Sequence, residues 1–354
     1  MPSRRKGAST KKTSIKNSVE LFGEFGLIDT IASIIGDKKK SRNGGTILRA
    51  IGDDAAVIRT SPNKVLVFTT DALVERIHFD LTFDSPHNVG WKAMVASLSD
   101  IAAMNAAPLA AVVSIALPKK TDTGIIKKLY EGMNKAAEHY SCPIVGGDTT
   151  ASRSGIFISV AILGACNEKE ITYRSGAQPG DIVCVSGDLG RCTAALQVLK
   201  TNKKQFDAKK IPSEVHAAIM QKHNQPLPRF DILQKLRRAK ISLTSIIDIS
   251  DGLSSELHHI ARQSKAGIEI DAERIPINNA VKKLAAKFGA DPIAWALHSG
   301  EEYELLFTVN PKYRAKLAAV SGVSMIGSVS SGKGVWVKDK TGRKSLPAKG
   351  YVHF

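Results

Sequence analysis

The sequence predicts a two-domain protein of the α/β (α+β) class, and three observations lead to this fold. The chain has 354 residues, which suits two domains of roughly 150 residues better than one core. Its 43% hydrophobic and 23% charged residues are typical of a globular protein and exclude wholesale disorder, collagen and coiled coil. Strand-like and helical patterns alternate along the chain, which indicates sheets covered by helices.

The first domain is predicted at 20–167, after a basic tail at 1–19. Its clearest helix carries Trp91, Leu98 and Ile101 on one face. Short apolar runs between turn residues predict the strands. The expected helices are 24–35, 87–104 and 122–139, and the expected strands are 55–59, 64–70, 110–117, 143–145 and 156–165.

The second domain is predicted at 168–354, because turn residues at 168–180 end in Gln178-Pro179-Gly180. Periodic apolar segments continue after this junction. The expected strands are 181–186, 245–249, 268–271, 303–309, 323–329 and 335–338, and the expected helices are 190–199, 213–222, 227–238, 252–264, 279–288 and 312–319.

The net charge of +17 is concentrated in two stretches. Residues 1–19 hold six Lys or Arg and no acid, and residues 197–245 hold eleven against three acids. A basic tail can bind nucleic acid through counterion release, but a solvated disordered arm is the commoner explanation. Aromatic residues do not alternate with these charges, so nucleic acid is not expected as the main partner.

Several classes of protein and site are excluded by pattern. The cysteines at 142, 166, 184 and 192 match no zinc or redox spacing and are expected to be reduced. No apolar run approaches the ~20 residues of a membrane span, and no signal peptide is visible, so a cytoplasmic protein is expected. Residues 327–334 match GxxxxGK, but Gly334 stands where a phosphate-binding loop needs Ser or Thr, and a strand follows. A hairpin turn is expected there.

Aspartates beside Gly, Ser or Thr form the most informative pattern, and they are predicted at strand ends and turns. Mg²⁺ prefers carboxylate and water oxygens, so acids converging from separate loops would suit a polyphosphate with several Mg²⁺ ions. Each Asp alone is also typical of turn or N-cap chemistry, and Asp100, opposite the apolar stripe of its helix, could be a solvated surface acid. The groups are Gly52-Asp53-Asp54, Thr69-Thr70-Asp71, Ser99-Asp100, Gly146-Gly147-Asp148-Thr149-Thr150 and Asp248-Ile249-Ser250-Asp251-Gly252.

These groups, with GEFGLI at 23–28, His78-Phe79, Arg174-Ser175-Gly176-Ala177, GEEYEL at 300–305 and KGYVHF at 349–354, resemble the thiamine-monophosphate kinase family. The resemblance runs from about residue 21 to the C-terminus. The wider aminoimidazole ribonucleotide synthetase superfamily is similar in its Asp-rich plan but not at the two ends. Asn105, Ser299 and Glu302 depart from the family pattern, which leaves the local loop geometry open.

The resemblance implies an aminoimidazole ribonucleotide synthetase-like fold, with a C-terminal α/β sandwich and a homodimer in which N-terminal sheets pair into a barrel. It implies ATP-dependent phosphorylation of thiamine monophosphate to thiamine diphosphate, with Asp71 and Asp148 essential for catalysis. By resemblance the ATP contacts are Tyr130, Gly147, Asp148, Arg174 and Ser250, the thiamine monophosphate contacts are His78, Glu301 and Tyr351, and the Mg²⁺ ligands are Asp53, Thr69, Thr70, Asp71, Asp100, Asp148, Asp248 and Asp251.

Other interpretations of these residues stay open. His78 could be a half-buried structural histidine, Tyr130 a core residue, Arg174 a turn cap and Tyr351 a packing residue. The chain could also be another ATP-using enzyme of the superfamily, similar to aminoimidazole ribonucleotide synthetase, or a basic nucleic-acid-binding protein. For a kinase, the acceptor phosphate is largely a dianion at neutral pH, so no general base or phosphoenzyme is expected and transfer should be direct.

Overall fold

The computed structural model describes residues 19–35, 46–201 and 211–353. The tail predicted at 1–19 lies outside these residues, apart from Val19. The described residues belong to two compact units. The smaller unit holds helix α1 (Val19–Ile35), interrupted at Gly23, and the chain end, where the His353 backbone N–H donates to Glu24 Oε2 at 3.3 Å.

The larger unit, within residues 38–351, contains two sheets. The strands of the N-terminal sheet are β1 (Thr46–Arg49), β2 (Ala56–Ser61), β3 (Lys64–Val74), β4 (Ala107–Pro118), β5 (Ile144–Ser152) and β6 (Phe157–Asn167). They lie in the order β1-β2-β3-β6-β4-β5, with β4 and β5 parallel and the other neighbours antiparallel. Helices α2 (Pro86–Ala103) and α3 (Thr123–His139) pack together, and α2 covers the inner face of β3 and β6.

The second sheet begins after residue 180. Its strands are β7 (Ile182–Ser186), β8 (Leu243–Ile249), β9 (Gly267–Asp271), β10 (Glu304–Val309), β11 (Val323–Ser330), β12 (Val335–Asp339) and β13 (Gly342–Ser345). Their order is β13-β12-β9-β11-β7-β10-β8, with β9 and β12 parallel. The helices are α4 (Arg191–Lys200), α5 (Ser213–Asn224), α6 (Phe230–Arg238), α7 (Leu253–Ser264), α8 (Asn279–Phe288), α9 (Pro292–His298) and α10 (Arg314–Ala318).

Helix α2 connects the two sheets. It starts sharply because the Ser85 side chain accepts a hydrogen bond from the Asn88 backbone N–H at 3.2 Å, and Pro86 occupies the first turn. Almost every residue from Val89 to Ala103 is buried, since α2 contacts β3 and β6 on one side and β8 on the other. Polar groups on this helix therefore lie between the sheets. None of the helices in the described ranges is long and apolar enough to cross a membrane.

The prediction that the aspartates follow strand ends is wrong for two of them. Asp71 lies within β3, opposite Val160, and Asp148 lies within β5, opposite Ser114. Both strands continue past their predicted ends because β6 and β4 pair with them along their length. A single-strand pattern does not reveal such pairing, since it comes from partners distant in sequence.

The predicted hairpin at 327–334 is also wrong. A turn does connect β11 to β12, but β9 lies between these strands, so they do not pair. Strands β1 and β13 and helix α9 were not predicted. The helix expected at 227–238 starts only at Phe230, two residues after Pro228.

We expect the Gly132→Ala variant to destabilise the protein. A Cβ atom on Gly132 of α3 would lie 1.8 Å from the His87 carbonyl oxygen of α2. Alanine gains about 1 kcal/mol in helix propensity, but forcing the helices apart should cost more, giving a net loss of roughly 2 kcal/mol in unfolding free energy by denaturant titration. The control is Gly146→Ala, because its Cβ would lie 3.8 Å from the nearest atom. Equal stability of both variants would contradict the close helix contact.

Candidate active site

Helix α2 joins acids from both sheets through serine hydroxyls. Ser97 Oγ lies 2.9 Å from Asp71 Oδ2 on β3. Ser99 Oγ, two residues later, donates to Asp248 Oδ2 on β8 at 2.6 Å. Both serines are fully buried. Two carboxylates from different sheets are thus held against one helix.

A compact acid cluster forms at this junction from Asp54, Asp100 and Asp248. One carboxylate oxygen of each lies within 4.8 Å of the others. Asp100 also contacts the Thr69 hydroxyl, so it faces the other acids between the sheets and is not a solvated surface acid. Asp54 was quoted in the sequence pattern but not predicted as a ligand.

Burial and mutual repulsion raise the pKa of several of these acids. Burial raises the pKa of Asp248 to about 8, and the Asp54 charge adds to the shift. The pKa of Asp100 is raised well above its ordinary value by burial and then by Asp71 and Asp248. Burial also raises the pKa of Asp71. Perturbation of this kind is typical of functional sites.

Two arginines partly balance the charges of Asp53 and Asp54. Arg174 Nη2 donates to Asp54 Oδ1 at 2.5 Å, and the Arg174 backbone N–H donates to Asp53 Oδ1 at 3.2 Å. Arg49 Nε lies 3.2 Å from Asp53 Oδ2. Burial nevertheless raises the pKa of Asp53 to about 6, helped by Asp54. Arg174 is therefore more than a turn cap, because it holds two adjacent acids of the site.

Glu256 is a buried acid that the sequence interpretation missed. It lies in the first turn of α7, and its Oε1 accepts a hydrogen bond from the Asp251 backbone N–H at 3.1 Å. Burial and the charges of Asp251 and Asp248 raise its pKa well above the ordinary value. An acid near a helix start is common, so its sequence position alone carried no functional signal.

The three residues predicted to contact thiamine monophosphate, His78, Glu301 and Tyr351, lie together near the end of β8. The His78 and Tyr351 ring centroids are 6.4 Å apart. The Tyr351 backbone N–H donates to the Asp251 backbone carbonyl oxygen at 3.0 Å, and the Glu301 backbone N–H donates to the Ser250 backbone carbonyl oxygen at 2.6 Å. The segment after β8 therefore connects the acid cluster to these three residues.

Other predicted site residues lie away from the cluster. Thr70 and Asp148 are exposed on the face of the sheet opposite α2, whereas Thr69 and Asp71 face the helix. Ala72 on β3 pairs with Ser159 on β6, which pairs with Ser114 on β4, which pairs with Asp148 on β5. Three strand spacings, about 14 Å in total, therefore separate Asp148 from Ala72. Gly147 packs on β4, and Tyr130 is a half-buried residue beside the N-terminal core.

The donor set suits a hard cation such as Mg²⁺. Three carboxylates supply oxygen ligands at one point, as such ions require. Asp54 Oδ2 is buried and has no hydrogen-bond partner among the described residues, which is costly for a carboxylate unless another group binds it.

Comparison with known families matches both halves of the chain. The AIR synthase related protein N-terminal domain matches residues 52–166, and the C-terminal domain of the same family matches residues 178–340. Among curated relatives, the thiamine-monophosphate kinase of Aquifex aeolicus is 36% identical over 94% of this chain and 98% of its own. That of Pyrococcus horikoshii is 39% identical over 86% of this chain and 91% of its own.

Solved structures agree with these relatives. A structure described as AaThiL complexed with AMPPCP and TMP has a TM-score of 0.83 and 34% identity, covering 96% of this chain and all of that chain. Thiamine-monophosphate kinase from Stenotrophomonas maltophilia has a TM-score of 0.70 and 30% identity, covering 88% of this chain and 95% of that chain.

The raised pKa values of Asp53 and Asp248, caused first by burial and then by neighbouring acids, predict how metal-free stability depends on pH. Because Asp53 and Asp248 have raised folded pKa values, the folded state binds their protons more tightly than the unfolded state. This contribution is fully present below about pH 4 and is lost as pH rises to about 6 for Asp53 and to about 8 for Asp248. We expect Mg²⁺ to raise the melting temperature more at about pH 8.5 than at about pH 5.5.

The control is Asp248→Asn, which removes one titrating group. Its metal-free melting temperature should fall less between the two pH values than that of the wild type. Identical pH slopes in calorimetry would contradict the assigned origin of the effect.

Proposed function

Because the chain belongs to the AIR synthase related family, and within it to the thiamine-monophosphate kinases, we propose that it uses ATP to phosphorylate thiamine monophosphate to thiamine diphosphate. One observation carries the proposal: the likeness extends over nearly the whole chain to a structure complexed with AMPPCP and TMP. With ATP as co-substrate and four free cysteines, we place the enzyme in the cytoplasm.

Mg²⁺ is proposed as the metal, with several ions bound. Asp54, Asp71, Asp100 and Asp248 would hold ions between the sheets, and this adds Asp54 to the ligands inferred from the sequence. When bound, the ions would neutralise the phosphates and the charge that develops during transfer. Asp53, Thr69 and Asp251 are further proposed ligands near these ions, whereas Thr70 and Asp148 would bind a separate ion on the opposite face of the sheet.

Transfer is proposed to be direct. An oxygen of the acceptor phosphate attacks the γ-phosphorus of ATP, and the bond from that phosphorus to the β–γ bridging oxygen breaks, which releases ADP. The acceptor needs no general base because it is already largely a dianion at neutral pH. The contribution of the chain is to align two anions in a fixed geometry.

In this proposal both domains contribute residues that bind the metal ions and the substrates. Residues 20–167 supply most metal ligands, and residues 168–354 complete the site. ATP would contact Tyr130, Gly147, Asp148, Arg174 and Ser250. The acceptor would contact His78, Glu301 and Tyr351, which lie near the end of β8.

A homodimer is also part of the proposal. The face of the N-terminal sheet opposite α2 exposes apolar side chains, including Phe68 at 48%, Val112 at 41% and Phe157 at 38%. An apolar sheet face of this kind favours contact with another protein surface. A second copy would pair the two faces with each other.

The function is tested by ADP release from purified protein with ATP, Mg²⁺ and thiamine monophosphate, followed by identification of thiamine diphosphate. ADP release that requires an aminoimidazole ribonucleotide precursor in place of thiamine monophosphate, or RNA binding without ADP release, would contradict the proposal.

Direct transfer is tested separately. Incubation of the protein with γ-labelled ATP and no acceptor should leave no label on the protein. Label that transfers to product would contradict direct transfer.

We expect Asp71→Asn and Asp148→Asn each to lower kcat roughly 10² to 10⁴-fold, because each weakens a metal ligand. Their metal-free melting temperatures should differ. Asp71→Asn removes a carboxylate that lies beside the cluster and whose pKa is raised by burial, so it should raise the melting temperature, whereas replacing the exposed Asp148 should change it little. Lower melting temperature with retained activity would instead indicate structural aspartates.

We expect Phe68→Lys to dissociate the homodimer, since it places a charge on the apolar sheet face. Sedimentation velocity would report the oligomeric state. Leu227→Lys is the matched control, because Leu227 is 42% exposed but lies outside this sheet. A Phe68→Lys variant that stays dimeric would contradict the proposed interface.

A further inference from the structure

Lys92 is a lysine in the interior of α2. It is 2% exposed, which is rare for this residue type unless a carboxylate is close. Its Nζ donates to Glu301 Oε2 at 2.7 Å. Burial alone would lower the pKa of Lys92, but Glu301 and then Asp84 raise it above its ordinary value. The Lys92 side chain is therefore charged, and it is paired with Glu301, a proposed contact to thiamine monophosphate.

The other nearby acid is occupied by different partners. Asp84 Oδ1 lies 2.9 Å from His223 Nε2, and Asp84 Oδ2 accepts from the Asp80 backbone N–H at 2.9 Å. Within the described part of the chain, Glu301 is the hydrogen-bond partner of Lys92 Nζ. The link between α2 and Glu301 thus depends on this ion pair.

The backbone around Glu301 is held by separate contacts. The Glu301 backbone N–H donates to the Ser250 backbone carbonyl oxygen at 2.6 Å, and the Cys192 thiol donates to the Glu301 carbonyl oxygen at 3.2 Å. The next residue, Glu302, accepts from the Gly190 N–H at 2.8 Å and from the Ser299 hydroxyl at 2.7 Å. Lys92 consequently restrains the Glu301 side chain, while other groups restrain the loop.

The Glu301 side chain is 26% exposed, and its Oε2 is bound to Lys92. A carboxylate fixed at one oxygen by a buried cation loses little rotamer entropy when its other oxygen binds a ligand.

We propose that Lys92 is a positioning residue for acceptor recognition, which acts by holding the Glu301 carboxylate toward the acceptor. This inference rests on the proposed function, since it takes thiamine monophosphate as the acceptor. Helix α2 would then contribute both a metal ligand, Asp100, and, two turns earlier, the residue that positions Glu301.

The test is a double-mutant cycle with Lys92→Met, Glu301→Ala and the double variant. Lys92→Met should raise KM for thiamine monophosphate about tenfold to a hundredfold, as expected for loss of a charged hydrogen bond. KM for ATP should change less than about twofold. In the Glu301→Ala background, Lys92→Met should have no further effect on acceptor KM. Calorimetric binding of thiamine monophosphate should follow the same pattern.

Lys222→Met is the matched control. Lys222 is also buried and contacts a buried acid, Glu304, so its loss should reduce stability without raising acceptor KM selectively. If Lys92→Met does not fold, Lys92→Gln replaces it in the cycle; this variant removes the ammonium charge but keeps a donor, so its expected rise in acceptor KM is smaller.

Equal changes in both KM values, or additive effects in the double variant, would overturn the inference while leaving the kinase assignment intact. Wild-type protein that is inactive with thiamine monophosphate would instead remove the proposed function and this inference together.

Discussion

The architecture of the site depends on one constraint, the close approach of mutually repelling carboxylates between the two sheets. Asp54, Asp100 and Asp248 converge there. Among the described residues, Arg174 pairs with Asp54, whereas hydroxyl groups contact Asp100 and Asp248. Like charges at this separation repel strongly in a medium of low dielectric. The fold holds them together by packing α2 between β3 and β8.

Glu304, a buried acid outside the cluster, differs from the cluster acids because it is paired with cations. Glu304 on β10 contacts Lys222 and Ser186 and accepts from Arg229 Nη1 at 2.5 Å. Burial alone would raise its pKa, but Lys222 and Arg229 outweigh that effect and lower it. The pKa of Asp100 is raised by burial and then by the charges of Asp71 and Asp248. Glu304 is a satisfied structural acid, and the cluster is a set of ligands suited to a cation.

Residues that sequence reasoning missed have ordinary local patterns. Glu256 looks like an acid in a helix start, Lys92 like a polar position in a helix, and Asp54 like the neighbour of Asp53. Their importance comes from burial against groups far away in sequence, such as Glu301 for Lys92 and Arg174 for Asp54. Local periodicity carries no information about such contacts.

The sequence by itself determined the two-sheet α/β class, most helices and strands, and the Asp-rich groups that identify the family. These follow from periodicity, turn residues and motif order, which are local properties. Tertiary structure decided which acids share one space and that Asp71 and Asp148 lie within strands. It also placed Thr70 and Asp148 on the face opposite Asp71. The physical reason is that strand register, helix packing and desolvation depend on partners distant in the chain.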